Sequence, residues 1–295
     1  MTQILDGKKV AAVLREELNQ EIALLKEKGT AAKLAVLLVG QDPASVAYAR
    51  FLEKVSHNAD VLFELHQLPE NASELYVKLK IEDLNNEPSV HGILLMMPLP
   101  PHISKQRVME TVTPLKDVDG LHPFNRGHLI SGGISLHPAT PMSCLEIMKR
   151  CGISLAGKHM VIVGRGETVG KPLVFMALAE NATVTVCHTR TTDLTTFTRQ
   201  ADILVSAVGK PGLITAEMVK PGAVVVDAGI SEVDGQITGD VDFERVKEVA
   251  GAISPVPGGV GSLTTVLMLK NLAKGIHLQE KAREWEEAEK LCQTT

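Results

Sequence analysis

The run Val161-Ile-Val-Gly-Arg-Gly-Glu-Thr-Val-Gly-Lys-Pro172 leaves few folds open to this chain. Three β-branched apolar residues lead into Gly164, Arg165 follows at once, and Gly166 and Gly170 complete G-x-G-x-x-x-G. The pattern predicts a buried strand, a tight turn, then a helix from about residue 168. Unpaired N–H groups at a helix start point outward, and the helix dipole favours an anion there. An arginine in the turn can grip a phosphate bidentately. The spacing is one residue longer than the usual dinucleotide fingerprint. Taken alone, the segment fits both a nucleotide turn and an ordinary strand–helix turn.

Strands and helices alternate on both sides of it. Residues 8–28 read as an amphipathic helix, with Val10, Val13, Leu14, Leu18, Ile22 and Leu25 on one face. Strands are predicted at 33–40, 61–67 and 92–97, with helices at 42–58, 73–85 and 104–112. That is βαβαβ, with connections long enough for parallel crossovers. Residues 117–133 read as a polar, Gly-rich stretch. The pattern restarts near residue 140 with a helix at 142–150. Strands follow at 158–163, 182–187, 202–207 and 223–227, and helices at 168–179 and 240–249. The strands are apolar throughout, as parallel strands buried on both faces should be. Two helices, 263–274 and 279–291, close the chain. Two α/β domains are expected.

Bulk properties narrow the function classes. A chain of 295 residues with 44% hydrophobic content can build two cores. A net charge of −5 and the lack of a Lys/Arg run argue against a nucleic-acid surface. No apolar run approaches the ~18 residues of a membrane span, and the N-terminal segment has no apolar signal region. Cys144, Cys151, Cys187 and Cys292 show no C-x-x-C spacing, which argues against a zinc site and for a reducing compartment. A soluble, cytoplasmic protein without a metal site is expected.

Open α/β sheets bind ligands outside the carboxyl ends of their strands. Several loops there are unusual. Gly40-Gln-Asp-Pro-Ala-Ser-Val-Ala-Tyr48 follows the first strand, and Met97-Pro-Leu-Pro-Pro101 follows the third. Pro114-Leu-Lys-Asp-Val-Asp-Gly120 lies beyond the next helix, and Ala228-Gly-Ile230 follows the strand at 223–227. Ser254-Pro-Val-Pro-Gly-Gly-Val-Gly261 packs prolines and glycines where a backbone must lie flat against something. Each alone reads as a connector. Five together point to a ligand face.

These residues carry a resemblance to the methylenetetrahydrofolate dehydrogenase/cyclohydrolase family, whose bacterial members are called FolD. It runs from Asp6-Gly7 to about Leu272. Its marks are Val39-Gly40 with Ala44-Ser45 and Tyr48, Pro98-Leu99-Pro100, Lys116-Asp-Val-Asp-Gly120, and His122-Pro-x-Asn125 with Gly127. Pro138-x-Thr-Pro141, Gly164-Arg165 with Val169-Gly170-x-Pro172, Cys187-His188, Asp227-x-Gly-Ile230, Gly239-Asp-Val-Asp242 and Pro255-Val-Pro-Gly-Gly-Val-Gly261 complete them. The resemblance implies a folate-binding catalytic domain at 1–138, completed by C-terminal helices at 265–295. It implies a Rossmann-type doubly wound domain for NAD(P) at 139–264, a folate cleft between the two, and commonly a homodimer. Tyr48 would lie against the aminobenzoyl ring of the folate, and Asp119 would hydrogen-bond the pterin. These two are the candidate catalytic residues. Pro98, Pro257 and Gly261 would shape the folate cleft. Gly164, Arg165 and Gly166 would hold the cofactor phosphates, with Thr189 nearby and Ile230 near the nicotinamide. Without the resemblance, a tyrosine at a helix start fits half-buried core, and an aspartate in D-V-D-G fits a turn former.

Two departures matter most. The family carries a catalytic lysine four residues after the tyrosine and a glutamine two residues before the Pro-Leu-Pro turn; here they are Leu52 and Met96. Lys54 lies about 200° further round the helix than Leu52, the wrong side for a stand-in. Ala139, Ser143, Gly166 and Ser262 replace a cysteine, a glycine, a serine and a proline of the family pattern. The expectation is an NADP-dependent methylenetetrahydrofolate dehydrogenase with cyclohydrolase activity lost or weak. The alternatives are a bifunctional enzyme with a substitute group, a folate- and NADP-binding protein without useful catalysis, and an enzyme for another one-carbon carrier. NADP is expected over NAD because no carboxylate appears before Asp193 after the strand ending at Cys187, while Arg165 and Arg190 are available for a 2′-phosphate.

Overall fold

The structure is a computed structural model and describes residues 2–293, excluding the side chains of 286–288 and 290–293; the thiol of Cys292 thus lies outside what is described. In chain order the elements are β1 (Gln3–Ile4), α1 (Gly7–Glu27), β2 (Lys33–Val39), α2 (Pro43–Asn58), β3 (Leu62–Leu68), α3 (Glu74–Asn86), β4 (Gly92–Leu95), α4 (Lys105–Met109), α5 (Pro123–Ser131), α6 (Ala139–Arg150) and β5 (His159–Val163). They continue with α7 (Gly170–Ala179), β6 (Thr183–Cys187), α8 (Leu194–Thr198), β7 (Ile203–Ser206), β8 (Val224–Asp227), β9 (Ser231–Val233), β10 (Gln236–Thr238), α9 (Phe243–Val246), β11 (Ala252–Ile253) and α10 (Gly261–Gln293). The chain divides into two compact units.

The first unit comprises Arg15–His128, Gly133–His137 and the chain from Met268 onward. Its sheet runs β3-β2-β4, all parallel, with Val36 opposite Leu65 on one side and Leu94 on the other. The central strand β2 is buried from Leu34 to Val39, which is why it carries no polar alternation. Leu37, Ile81, Ile93, Leu95 and Val108 belong to one core cluster. The Asp42 side chain accepts from Ser45 N and Pro43 opens α2, as helix starts favour. At the other end of α3, buried Lys116 donates to the carbonyls of Leu84, Asn85 and Glu87 at 2.7–3.1 Å. It satisfies acceptors that a helix end leaves unpaired.

The second unit comprises the chain through Leu14, Leu129–Gly132 and Pro138–Leu267. Its six-stranded parallel sheet has the order β1-β11-β8-β7-β5-β6. From β5 the chain winds outward to β6, then returns to β7 on the other side. This is the Rossmann-type doubly wound sheet expected, and its winding reverses at β5.

Several expectations differ from what is seen. The N-terminal segment, grouped above with residues 1–138, clusters with the Rossmann-type unit because β1 pairs with β11 at its sheet edge. Two residues are too few to show periodicity. The two closing helices are one, α10, and Gly275 does not break it. A Cβ there would sit 2.7 Å from the Leu115 carbonyl oxygen, so glycine serves close packing rather than a turn. The stretch 117–133 holds the helix α5, started by Pro123 and disguised by Gly127. The helix expected at 240–249 shortens to α9, because Gly239 to Val241 serve the site described below. The hairpin β9–β10, helix α8 and strand β11 were not foreseen. Among the described residues no helix is long and apolar enough to cross a membrane, and no group of three His, Cys, Asp or Glu could hold a metal.

Candidate functional site

In the β3-β2-β4 sheet, β3 lies on one side of β2 and β4 on the other. The crevice rule for such sheets points to the carboxyl ends of β2 and β4. There β2 gives way to Gly40, at φ +89°. The Gln67 amide donates to the Gly40 carbonyl at 3.0 Å. Ser45 Oγ lies 2.8 Å from Asp42 Oδ2 and 3.2 Å from the Met97 carbonyl oxygen, tying the start of α2 to the end of β4. A cavity of about 390 Å³ opens here, lined by Val39, Gly40, Asp42, Glu70, Pro98 and Pro100 among others. The Met97–Pro98 peptide is cis. Tyr48, in the second turn of α2, is 39% exposed and stacks on Phe51 with ring centroids 6.3 Å apart.

Asp119 reaches the same end of the sheet by another route. Asp117 pairs with Ile93 of β4 in an isolated parallel bridge. Its buried carboxylate accepts from His122 N at 2.7 Å and Asn125 Nδ2 at 2.9 Å. Gly120 N closes the turn onto the Asp117 carbonyl at 3.1 Å, and Asn271 Nδ2 holds the Val118 carbonyl at 2.8 Å. Asp119 is therefore fixed from both sides by its neighbours' hydrogen bonds. Burial, reinforced by the Asp117 charge and opposed by Lys105, pushes its carboxyl up to about 7.

Leu52 is fully buried and Met96 is 4% exposed. Leu52 shares the buried face of α2 with Ala49 and Ser56, whereas Glu53 and Lys54 are exposed. The expected lysine and glutamine positions thus carry apolar side chains packed away from water, and Lys54 faces the solvent side.

In the Rossmann-type unit, β5 ends in the glycine turn. Gly164 has φ +119°, and a Cβ there would lie 2.4 Å from the Ala207 carbonyl oxygen at the end of β7. A Cβ on Gly170 would lie 2.2 Å from the Gly164 carbonyl oxygen. Both glycines let α7 start hard against the sheet. A Cβ on Gly166 would meet nothing within 4 Å among the described residues, so this glycine leaves open space instead. Arg165 and Gly166 are both exposed at this turn. Gly164 N donates to the Cys187 carbonyl at 2.9 Å, placing the end of β6 alongside. There His188 N donates to Thr191 Oγ1 and Arg190 N to His188 Nδ1, with Thr189 and Arg190 exposed. Asp193 caps α8 by accepting from Thr196 N. Ile230 is 63% exposed beyond β8, and a Cβ on Gly261 would lie 3.7 Å from its Cδ1. The outward turn, its arginine and the open space at Gly166 fit a dinucleotide phosphate group.

The structure thus gathers Tyr48, Pro98 and Asp119 at one sheet end of the first unit. It gathers Gly164, Arg165, Gly166, Thr189, Ile230 and Gly261 at the strand ends of the second. Pro257, after a cis bond, also belongs to the second unit. Part of the glycine run there has a packing cause: a Cβ on Gly7 would lie 2.0 Å from the Gly259 carbonyl oxygen. Sequence reasoning assigned no role to Asp227 and Asp240, which lie buried behind Ile230. Burial and the Asp240 charge push Asp227 up to about 6 against its N–H donors. Only the apolar positions beside these aspartates signalled that they are internal.

Comparison with known proteins agrees over both units. Residues 5–119 match the catalytic domain of tetrahydrofolate dehydrogenase/cyclohydrolase, and residues 138–280 match its NAD(P)-binding domain. The bifunctional protein FolD of Desulforamulus reducens is 75% identical, covering 95% of this chain and 98% of that protein. The crystal structure of the bifunctional FolD methylenetetrahydrofolate dehydrogenase/cyclohydrolase from Campylobacter jejuni superposes with a TM-score of 0.93 at 41% identity, covering 95% of this chain and all of that one. The Trypanosoma brucei methylenetetrahydrofolate dehydrogenase-cyclohydrolase, solved with NADP cofactor and an inhibitor, gives 0.88 at 35% identity over 94% of this chain and 98% of that one. With both domains matched and relatives this close end to end, the chain belongs to the tetrahydrofolate dehydrogenase/cyclohydrolase family.

Proposed function

We propose that this protein oxidises 5,10-methylenetetrahydrofolate by passing a hydride to NADP⁺, and that its hydrolysis of methenyltetrahydrofolate is lost or weak. The observation that carries the second half is the burial of Leu52 and Met96. The two family activities ask different things of a protein. In dehydrogenation the folate nitrogen lone pairs drive hydride out of the methylene carbon, and no proton has to move. The protein has only to align the partners. Hydrolysis adds water to the methenyl carbon and opens a ring, so protons must be delivered and removed. Leucine and methionine do neither.

In this reading Tyr48 lies against the aminobenzoyl ring, Asp119 binds the pterin, and Pro98, Pro257 and Gly261 shape the folate surface. The unit containing Arg15–His128 takes the folate, and the Rossmann-type unit takes the dinucleotide. Bound NADP⁺ supplies the hydride-accepting nicotinamide. Gly164, Arg165 and Gly166 would hold its phosphates with Thr189 nearby, Arg165 and Arg190 would be available for the 2′-phosphate, and Ile230 would lie near the nicotinamide. The lack of a carboxylate before Asp193 and the NADP in the Trypanosoma brucei relative support NADP over NAD. A cytoplasmic homodimer completes the proposal.

Full bifunctionality is the second reading, favoured by the name of the Desulforamulus reducens relative. The two separate in one assay. Methylenetetrahydrofolate with NADP⁺ should give enzyme-dependent reduction, and methenyl absorbance should then decay no faster than in buffer. Rapid enzyme-dependent decay sinks the monofunctional reading and leaves the bifunctional one.

A further inference from the structure

Two buried aspartates organise the strand ends of the Rossmann-type unit. Asp240 is fully buried. Its Oδ2 accepts from Ser206 Oγ at 2.9 Å and from Val208 N at 2.8 Å, and its Oδ1 accepts from Lys210 N at 2.7 Å. Asp227, at the end of β8, accepts from Gly229 N and Asp240 N on Oδ1 and from Val241 N on Oδ2, at 2.9–3.1 Å. The two are interlocked by glycines. A Cβ on Gly229 would lie 2.1 Å from Asp240 Cγ, and one on Gly239 would lie 2.0 Å from Asp227 Oδ2.

Three of these donors, Val208 N, Lys210 N and Gly229 N, lie on two turns. One follows β7, runs from Ala207 to Lys210, and carries the carbonyl that abuts Gly164. The other is Ala228 to Ile230, and its Ile230 carbonyl lies 4.0 Å from where a Cβ on Gly209 would be. Both turns lie at carboxyl ends of the sheet, beside the proposed phosphate turn. All three partners of Asp240 are donors, so only a full carboxylate satisfies them. An amide would aim its NH₂ at a backbone N–H and leave at least one buried donor unpaired.

We propose that Asp240 is a positioning residue for hydride transfer, holding the Ala207–Lys210 turn and, with Asp227, the Gly229–Ile230 turn as the seat of the nicotinamide ring. The inference rests on the dehydrogenase reading above. Asp240 touches no reacting atom; it acts through backbone N–H groups, and small displacements of aligned reactants are costly.

The test compares the unmodified protein, Asp240→Asn and Ser206→Ala. Turnover, the primary isotope effect with methylene-deuterated substrate, and binding of 2′,5′-ADP, which lacks the nicotinamide half, are measured for each. Asp240→Asn should lower kcat by about 10–100-fold. Its isotope effect should rise as hydride transfer becomes limiting, while the dissociation constant for 2′,5′-ADP stays within about twofold. Ser206→Ala removes one neutral donor and should act in the same direction by about 2–5-fold, which keeps the test open if Asp240→Asn fails to fold. An unchanged isotope effect in the folded variants, or loss of 2′,5′-ADP binding in step with kcat, overturns the inference. An unmodified protein that turns over no methylenetetrahydrofolate overturns the dehydrogenase reading itself, and the inference with it.

Discussion

Returning an ammonium to α2 is the most direct test of the buried Leu52. The position has no solvent exposure, and its helical neighbours on that face, Ala49 and Ser56, are buried as well. A lysine ordinarily titrates near 10.4, and full burial lowers that by about 3–5 units. With a lowering toward the upper end of that range, Leu52→Lys should carry a largely neutral amine at pH 7. Removing its proton at that pH spans about 3.4 units, which at 1.36 kcal/mol each costs about 4.6 kcal/mol. That is a large share of the roughly 5–15 kcal/mol that holds a domain folded.

The pH dependence has a definite sign. The folded amine binds fewer protons than the unfolded one, so stability rises with pH up to about 10.4. Thermal unfolding of Leu52→Lys should show a clear deficit at pH 7 that shrinks toward pH 10. Methenyl decay followed in parallel should show little or no gain for the single variant. Adding Met96→Gln supplies an amide partner and should recover part of the stability and some hydrolysis. A Leu52→Lys protein with unchanged stability across this range and rapid hydrolysis at pH 7 would show that the position is wet, and would refute the reasoning.

Other changes test the rest of the site. Asp119→Ala should weaken tetrahydrofolate binding by about 1.5–3 kcal/mol in calorimetry, the range for a hydrogen bond to a charged group. Because Asp119 is pushed up to about 7, the unliganded fold holds its proton better than the unfolded chain does, so this group's contribution to stability falls as pH rises from about 4 to about 7. Asp119→Asn should remove that slope from denaturation curves. Arg165→Ala should weaken NADP⁺ binding by about 1.5–3 kcal/mol and NAD⁺ binding by less. An unchanged KM for NADP⁺ would remove Arg165 from the site. Gly275→Ala gains about 1 kcal/mol of helix propensity, but its Cβ would press on the Leu115 carbonyl, and such overpacking costs about 1–3 kcal/mol. A net loss in Tm is expected.

Much of this architecture is legible in the sequence because its strongest signals are local. β2, β5 and β7 are short apolar runs, and the glycine turn after β5 declares itself by spacing. What stayed hidden depends on distant partners. β1 is two residues long and is a strand only because Ala252 and Ile253 lie beside it. Gly275 reads as a breaker until the Leu115 carbonyl is seen against it. Asp227 reads as the polar end of an apolar strand and Asp240 as a polar residue at a helix start, and the backbone donors that hold them come in part from the turns after β7 and β8. Leu52 and Met96 were visible as residue types, yet their burial depends on how α2 packs on its sheet.

These placements also bear on how one family activity could fade while the other persists. The candidates Asp119, half-buried, and Ile230, exposed, are each held by buried carboxylates, Asp117 for the first, Asp227 and Asp240 for the second. Those carboxylates bind mainly backbone N–H groups, so they define where surfaces lie. Hydride transfer depends on such placement. Leu52 and Met96 belong to a different layer: they occupy the proposed proton-handling positions and are packed as core. Substitution there removes acid–base chemistry without withdrawing a hydrogen bond from either scaffold. The two layers should therefore fail separately. Changes at Asp240 should slow hydride transfer in proportion to misalignment, whereas changes at Leu52 and Met96 should move hydrolysis first and leave dinucleotide binding where it was.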